Sequence, residues 1–405
     1  MKARRLWMTA LVAALALGGA AHALEGTNGF ALDPNVPLLT NDDVESLAEW
    51  GGFDFLSMNG GPNGATTGND AIAVDTSNRV YSIVVSQTPA EDLRYDGVVR
   101  IESDGTGLET LLQWENTWVG SDAEGWTQYG HIRALDVTHV HVPSTGSLEE
   151  RLVVVRESYD TVLDGMVKEV MAYELEAGAD GTYDGELLFD WPSGIQRNVH
   201  IATDASTGDL YVLEAIHAGD TTNHARIRRL AWSAIGGTYV ETAVTSSNTA
   251  YTDLIYLNGK LYTFDADSRI DSRGSDAILE VDPTGFDVYA AHAYVKDSSH
   301  SDPNNYYGWA AAEGVLYAAA WTEKKTRDGF VTAVAAGATL GTSDAIATFG
   351  VNRLYAMDGA GDGSMVLLVG GGIHRLAPTS DGGGDTGGDT GSGGGGKGGG
   401  KGKNK

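Results

Sequence analysis

The chain contains no cysteine. Disulfides, thiol nucleophiles and cysteine-held zinc are therefore excluded, and a fold of 405 residues must rely on its apolar core alone. Basic residues are scarce too, with 27 Lys and Arg against 55 Asp and Glu and a formal net charge of −28. Such a surface repels phosphate backbones and anionic bilayers, so a nucleic-acid partner is not expected. Long apolar runs are nearly absent. Only residues 6–17 form one, and it falls short of the roughly 20 residues a membrane helix needs. There is no Gly-x-Ser-x-Gly nucleophile elbow and no glycine-rich phosphate loop leading into a helix. Two histidine pairs, His139 with His141 and His217 with His224, lack convincing zinc spacing.

What is present divides into three stretches. Residues 1–23 have the parts of a secretory signal: Lys2, Arg4 and Arg5, then the short apolar run, then Ala21-His22-Ala23 as a small-x-small cleavage site. The mature chain is expected to begin near Leu24 and to be exported, to the periplasm, the cell surface or the extracellular medium. Residues 379–405 are rich in Gly, Asp and Lys and cannot bury a core, so a disordered tail is expected. Its Asp/Thr/Gly part resembles linkers that precede sorting segments on some bacterial surface proteins, although no apolar segment follows. Residues 24–378 remain for the folded domain.

A repeat organises that domain. Six strand-like runs carry the dipeptides Val80-Tyr81, Leu152-Val153, Leu210-Tyr211, Leu261-Tyr262, Leu316-Tyr317 and Met365-Val366. Each is followed by a second run, beginning at Val98, Val170, Ile227, Ile278, Val331 and Ile373. The runs are short, β-branched or aromatic, and bounded by Gly, Asp, Asn and Ser, which is strand chemistry. One more short strand precedes each first run and ends at Asp75, Asp136, Asp204, Asn258, Glu313 and Asp358, read here as turn residues. A fourth strand follows five of the six second runs. Three hairpin-linked strands and an outer fourth, repeated radially, make the blade of a β-propeller. Leu152 to Val155 and Met365 to Val369 have no polar face, as expected where neighbouring blades cover a sheet on both sides.

The expected fold is thus all-β, a six-bladed propeller of four-stranded antiparallel blades. A β-sandwich is the competing architecture. The sixth copy lacks its fourth strand. Residues 44–58, with Phe53-Asp54-Phe55-Leu56, hold spare β-like material, and an N-terminal strand from there is expected to close the ring.

Counting back from the turn residues places Asn69, Asp70, His131, Arg133, Asn198, His200, Asp253, Trp309, Asn352 and Arg353 where six strands converge, the default ligand site of a radial fold. The stretch with Trp118 and Trp126 reads as an aromatic loop beside that mouth, its rings either exposed and suited to stacking on sugars or peptide side chains or packed between blades as core. Asp180 to Asp184, Asp265 to Asp271 and Asp358 to Asp362 resemble calcium loops only in composition and read as solvated turns.

This arrangement resembles six-bladed propellers of the gluconolactonase and regucalcin type, and NHL-like propellers. The resemblance implies a divalent cation on the channel axis, such as Ca2+, with Asp70, Asn198 and Asp253 as ligands. The leading expectation is a monomeric binding module that uses the channel mouth for a small molecule, a glycan or a protein. A metal-dependent hydrolase of the lactonase or esterase kind is the alternative.

Overall fold

A computed structural model describes residues 24–33, 35–47, 71–88, 93–116, 118–121, 125–128, 132–160, 165–192, 198–215, 225–247, 251–265, 277–293, 306–321, 329–334, 345–349, 354–369 and 372–379. Six antiparallel sheets follow one another along the chain. Blade 1 runs from its inner strand Ile72–Val74 through Val80–Thr88 and Leu93–Ile101 to the outer strand Glu109–Asn116. Blades 2, 3, 4 and 5 repeat the order, with inner strands Ile132–His141, Asn198–Asp204, Tyr251–Leu257 and Tyr306–Ala312. Blade 6 contributes only Leu354–Gly359, Met365–Val369 and Gly372–Pro378. Each inner strand packs against the inner strands of both neighbours, and the inner strand of blade 6 meets that of blade 1. That circuit is a closed six-bladed propeller. A sandwich has no such ring.

All six dipeptides lie in second strands and all six second runs lie in third strands, as the repeat predicts. Leu152 to Val155 and Met365 to Val369 are buried throughout, because apolar clusters fill the gaps between adjacent blades and cover both faces. Two of the six turn assignments are corrected. Asp136 and Asp358 lie within inner strands, opposite Val153 and Val366, and the turns come later. The local pattern of an acid before an apolar run is the same in both settings; only strand pairing separates them.

The closing strand comes from an earlier segment than residues 44–58. Phe30–Leu32 pairs with Leu376 to Pro378, and Leu39–Thr40 pairs with Gly372 and Ile373, completing blade 6. Glu25–Gly26 adds to the outer strand of blade 5. Leu38, Leu39 and Val44 pack in the cluster shared with blade 1. Val44 itself sits in a one-turn helix, Asn41–Glu45, opened by a capping box between Thr40 and Asp43. Residues 53–56 lie outside the described residues. Asn28 and Gly29, both at positive φ, turn this N-terminal strap back on itself, an Asn-Gly turn signal that the repeat-based reading passed over.

Aspartate has a recurrent structural task. Asp75, Asp104, Asp180, Asp204, Asp282 and Asp362 each accept the amide N–H two residues on, from Ser77, Thr106, Thr182, Ser206, Thr284 and Ser364. In four of these the Ser or Thr hydroxyl donates as well. These are Asx turns. The Thr106 and Thr182 hydroxyls hold Asp104 and Asp180 below the ordinary carboxylate range. Part of the acid excess is therefore turn chemistry. Asp180 and Asp362, two of the calcium-loop look-alikes, are engaged in this way; residues 266–276 lie outside the described residues.

His374, on the third strand of blade 6 beside the strap, has its pKa pushed down by burial, and its Nδ1 has no hydrogen-bond partner among the described residues. The folded form then resists protonation while the unfolded chain accepts a proton near pH 6.5. Stability is fully present above that value and declines as pH falls toward the lowered folded pKa. His374→Phe should accordingly show a smaller drop in melting temperature between pH 7.5 and pH 5.5 than the parent; an unchanged drop would show that His374 does not contribute.

Candidate functional site

The six inner strands surround a cavity of about 210 Å³ on the ring axis. Its wall includes Asp136 and Thr138 from blade 2, Thr203 from blade 3, Asp253 and Tyr256 from blade 4, Trp309 from blade 5 and Asp358 from blade 6. Ile72, Ile201, Leu254, Ile255 and Met357 supply the apolar part, and no basic side chain is among the described lining residues. The inner strands reach the axis with runs of consecutive residues, such as Ile201 to Thr203 and Asp253 to Tyr256.

Several lining groups tie blades together. Asp358 accepts the Val74 N–H of blade 1 at 2.8 Å and its neighbour Gly359 N–H at 2.8 Å. Thr203 Oγ1 donates to Asp136 at 3.3 Å, from blade 3 to blade 2. Tyr256 donates its hydroxyl to Asp204 at 2.8 Å, from blade 4 to blade 3.

Asp253 is the most constrained of them. It is 6% exposed, lies where the pairing of the blade 4 inner strand slips by one residue, and has φ of 69°. A left-handed backbone is unfavourable for a residue with a Cβ, and Asp tolerates it better than most. Thr263 Oγ1 donates to the Asp253 carbonyl at 2.8 Å, and the Asp253 carboxylate accepts the Leu254 N–H at 2.8 Å. Those bonds hold the bulge and set the carboxylate 3.6 Å from Nδ1 of His200, itself 3% exposed. Asp253 and Trp309 also line a small apolar recess with Leu316 and Ile278.

A chain of buried charges crosses from blade 2 to blade 3. Arg133, from the inner strand of blade 2, donates Nε to Glu157 at 2.7 Å and also pairs with it through Nη2. Lys168 Nζ lies 3.5 Å from Glu157 and 3.1 Å from Glu214. Glu214 further accepts from Trp191 Nε1 and Arg228 Nε, each at 3.0 Å, and Arg228 stacks over the Trp191 ring and pairs with Glu241. Lys168 and Glu214 are 0% exposed in their side chains. Burial works to raise the Glu214 pKa, yet the Lys168 ammonium, the Trp191 N–H and the Arg228 guanidinium together hold it below its ordinary value.

Of the residues selected from sequence, Arg133, His200, Asp253 and Trp309 have described side chains. All four are buried; Asp253 and Trp309 face the cavity, and His200 stands beside Asp253. Asn198 opens the inner strand of blade 3, its backbone opposite Ala215. Asn69, Asp70, His131, Asn352 and Arg353 lie outside the described residues. Trp118 and Trp126 are not on a loop: Trp118–Ser121 and Gly125–Gln128 pair as a two-stranded ribbon, with Trp126 opposite Gly120. Aromatic and β-branched residues on both sides of a short acidic turn favour that pairing over an irregular loop. Among the described residues no three His, Asp or Glu side chains are arranged to hold a metal ion. No helix among them is long and apolar enough to cross a membrane.

Sequence reasoning missed Asp136 and Asp358 as cavity residues, since it took them for turns, and missed Glu157, Lys168 and Glu214 altogether. A signal was available for Glu214, a lone charge inside the strand-forming run Leu210 to Ala215, which a buried sheet accepts only when the charge is paired.

No family model matches the chain, and no curated protein matches it. Among solved structures it is similar to a glucose dehydrogenase crystal structure at 14% identity, covering 72% of this chain and 94% of that one with a TM-score of 0.39. It is also similar to the β-propeller domain of the Trilobed protease from Pyrococcus furiosus at 7% identity, covering 75% and 91% with a TM-score of 0.42. Both are likenesses of fold between distant chains, and the activity of neither is carried over; the six-bladed β-propeller rests on this chain's own strand pairing.

Proposed function

We propose that the chain is an exported binding module that takes a small polar ligand at the mouth of its central channel. The observation that supports this reading is the composition of the cavity wall: three carboxylates from alternate blades, hydroxyls and one indole, with no basic side chain among the described residues that line it. Such a wall favours a ligand that is cationic or rich in hydroxyl groups, with an apolar edge to meet Trp309. Asp253 adds a second argument, because a left-handed, buried carboxylate beside a buried imidazole is a costly placement of the sort found at ligand sites.

A divalent cation near Asp253, with hydrolase chemistry attached to it, is the second reading. It is favoured by the burial of that one carboxylate, and the described residues alone do not complete its ligand set.

Thermal shift separates the two. Short sugar oligomers, small primary amines and guanidinium compounds, and Ca2+, Mn2+ and Zn2+ are compared on the parent, Asp136→Asn and Asp253→Ala. A ligand that binds the native state raises the melting temperature, by about 2.7 kcal/mol of stabilisation at one hundred times its Kd. The binding module predicts an organic compound whose shift is lost in Asp136→Asn. The hydrolase predicts a divalent-ion shift lost only in Asp253→Ala. Organic ligands that stabilise all three proteins equally would place binding away from the channel and sink the proposal.

A further inference from the structure

Strand register gives each inner strand one equivalent position in the cavity wall. It pairs with the residue that follows the repeated dipeptide, as Ile201 does with Val212 and Trp309 with Ala318. In five blades the position is aliphatic: Ile72, Leu135, Ile201, Leu254 and Met357. In blade 5 it is Trp309. All six are buried and all six line the axial cavity, so they form a belt around it with one aromatic member. Blade 5 makes room for the indole with Ala310 next to it in the strand and Ala318 opposite. Packing accounts for the bulk of Trp309, which joins Ile278, Leu316 and Ala318 in a cluster between blades 4 and 5. It does not require an aromatic ring on the cavity wall, since the other blades build the same belt from aliphatic side chains.

The neighbours of the indole point to one ligand chemistry. Asp253 lines the cavity with Trp309 and shares the small recess with it. Asp136 and Asp358 stand in the same wall. An ionised carboxylate only accepts hydrogen bonds. The hydroxyls of Thr203 and Tyr256 already donate, to Asp136 and Asp204, which leaves Thr138 among the described lining residues. A hydroxyl-rich ligand needs donors from its site as well as acceptors, and this wall offers few. A divalent ion such as calcium needs six or more oxygens and has no use for an aliphatic belt. An alkylammonium ion carries a positive charge for the carboxylates and the indole, and an apolar skin for the belt.

We propose that Trp309 is the specificity-determining residue of the channel, and that its ligand is a small alkylammonium ion whose charge lies between the indole face and Asp253. This rests on the reading of the channel as a binding site and narrows it to one class of compound.

Calorimetric titration of the full 405-residue chain tests it. The probes are choline and its neutral carbon isostere dimethylbutanol, butylammonium and butanol, and the polyol erythritol. At least one cation should bind about 10-fold or more tighter than its neutral counterpart. Trp309→Phe keeps a π face and should hold the cation within about 3-fold. Trp309→Leu and Trp309→Met give blade 5 the chemistry of the other blades. Each should weaken cation binding about 10-fold and leave the neutral compounds within about 2-fold. Circular dichroism establishes which variants fold, and either aliphatic variant suffices. Loss of the fold in both would assign the indole to the core and overturn the proposal. Unchanged cation affinity in a folded aliphatic variant would overturn the role of Trp309, and a preference for erythritol or the neutral compounds would overturn the ligand class. In both of those cases binding that is lost in Asp136→Asn leaves the channel site standing. If neither cation binds, the alkylammonium ligand is refuted, and the sugar oligomers of the thermal-shift series decide separately whether the channel binds at all.

Discussion

Lys168→Met should lower the stability of the domain by about 3–5 kcal/mol, the usual result of removing one partner from a buried ion pair. The ammonium lies between Glu157 and Glu214, and neither carboxylate can turn to water where it stands. Arg133 and Arg228 would keep one bond set to each acid, so the effect is a strained interface, not a lost blade. The pH dependence identifies the cause. In the parent, Glu214 has a lowered pKa, so its contribution is present above the unfolded carboxylate value and is lost as pH falls through the folded one. In the variant its charge has lost the Lys168 partner, so protonation relieves the folded state. The gap between parent and variant should narrow from pH 7 toward pH 5. Urea unfolding at both pH values measures it, and a gap that stays constant would mean that lost packing, not charge, is responsible. Adding Glu214→Gln to Lys168→Met should recover part of the loss by the same logic.

A chain that lacks residues 24–40 should lose cooperative unfolding altogether. The deletion strips the third strand of blade 6 of its only outer neighbour among the described residues and uncovers Ile373 and Leu376, both fully buried. It also removes Leu24, Leu38 and Leu39 from the core. At about 2–5 kcal/mol for each buried leucine cut back, three of them rival the whole 5–15 kcal/mol of a typical domain. The bare strand would also be an open edge, ready to pair with other molecules. Circular dichroism melts and size-exclusion chromatography should show a broad transition and aggregates, and a synthetic peptide of residues 24–40 should restore a sharp melt. A truncated protein that melts within a few degrees of the parent would refute the closure.

Much of the fold was legible because a buried sheet imposes a strong local code. Leu152 to Val155 had to be covered on both faces, and six copies of one strand pair at intervals of 49 to 72 residues had few architectures open to them. The strap was placed too late in the chain because Phe53 to Leu56 has higher strand propensity than Leu38-Leu39. Propensity ranks candidates, but pairing partners choose among them. Of the cavity wall, Asp253 and Trp309 were reached by counting, since a fixed offset from a repeated strand is a local property. Asp136 and Asp358 were lost for the converse reason: one acid before an apolar run looks like a turn whether or not the strand continues through it.

By itself, the sequence determined six similar strand sets, their shared strand order and the missing fourth strand of the last, because these follow from one pattern that recurs along the chain. Only the tertiary structure decided which segment closes the ring, which carboxylates face the axis, and that Glu157, Lys168 and Glu214 stand in one line between two blades. Those facts depend on contacts between residues tens to hundreds of positions apart. Strand register and blade stacking set such contacts, and no local pattern of polar and apolar residues encodes them.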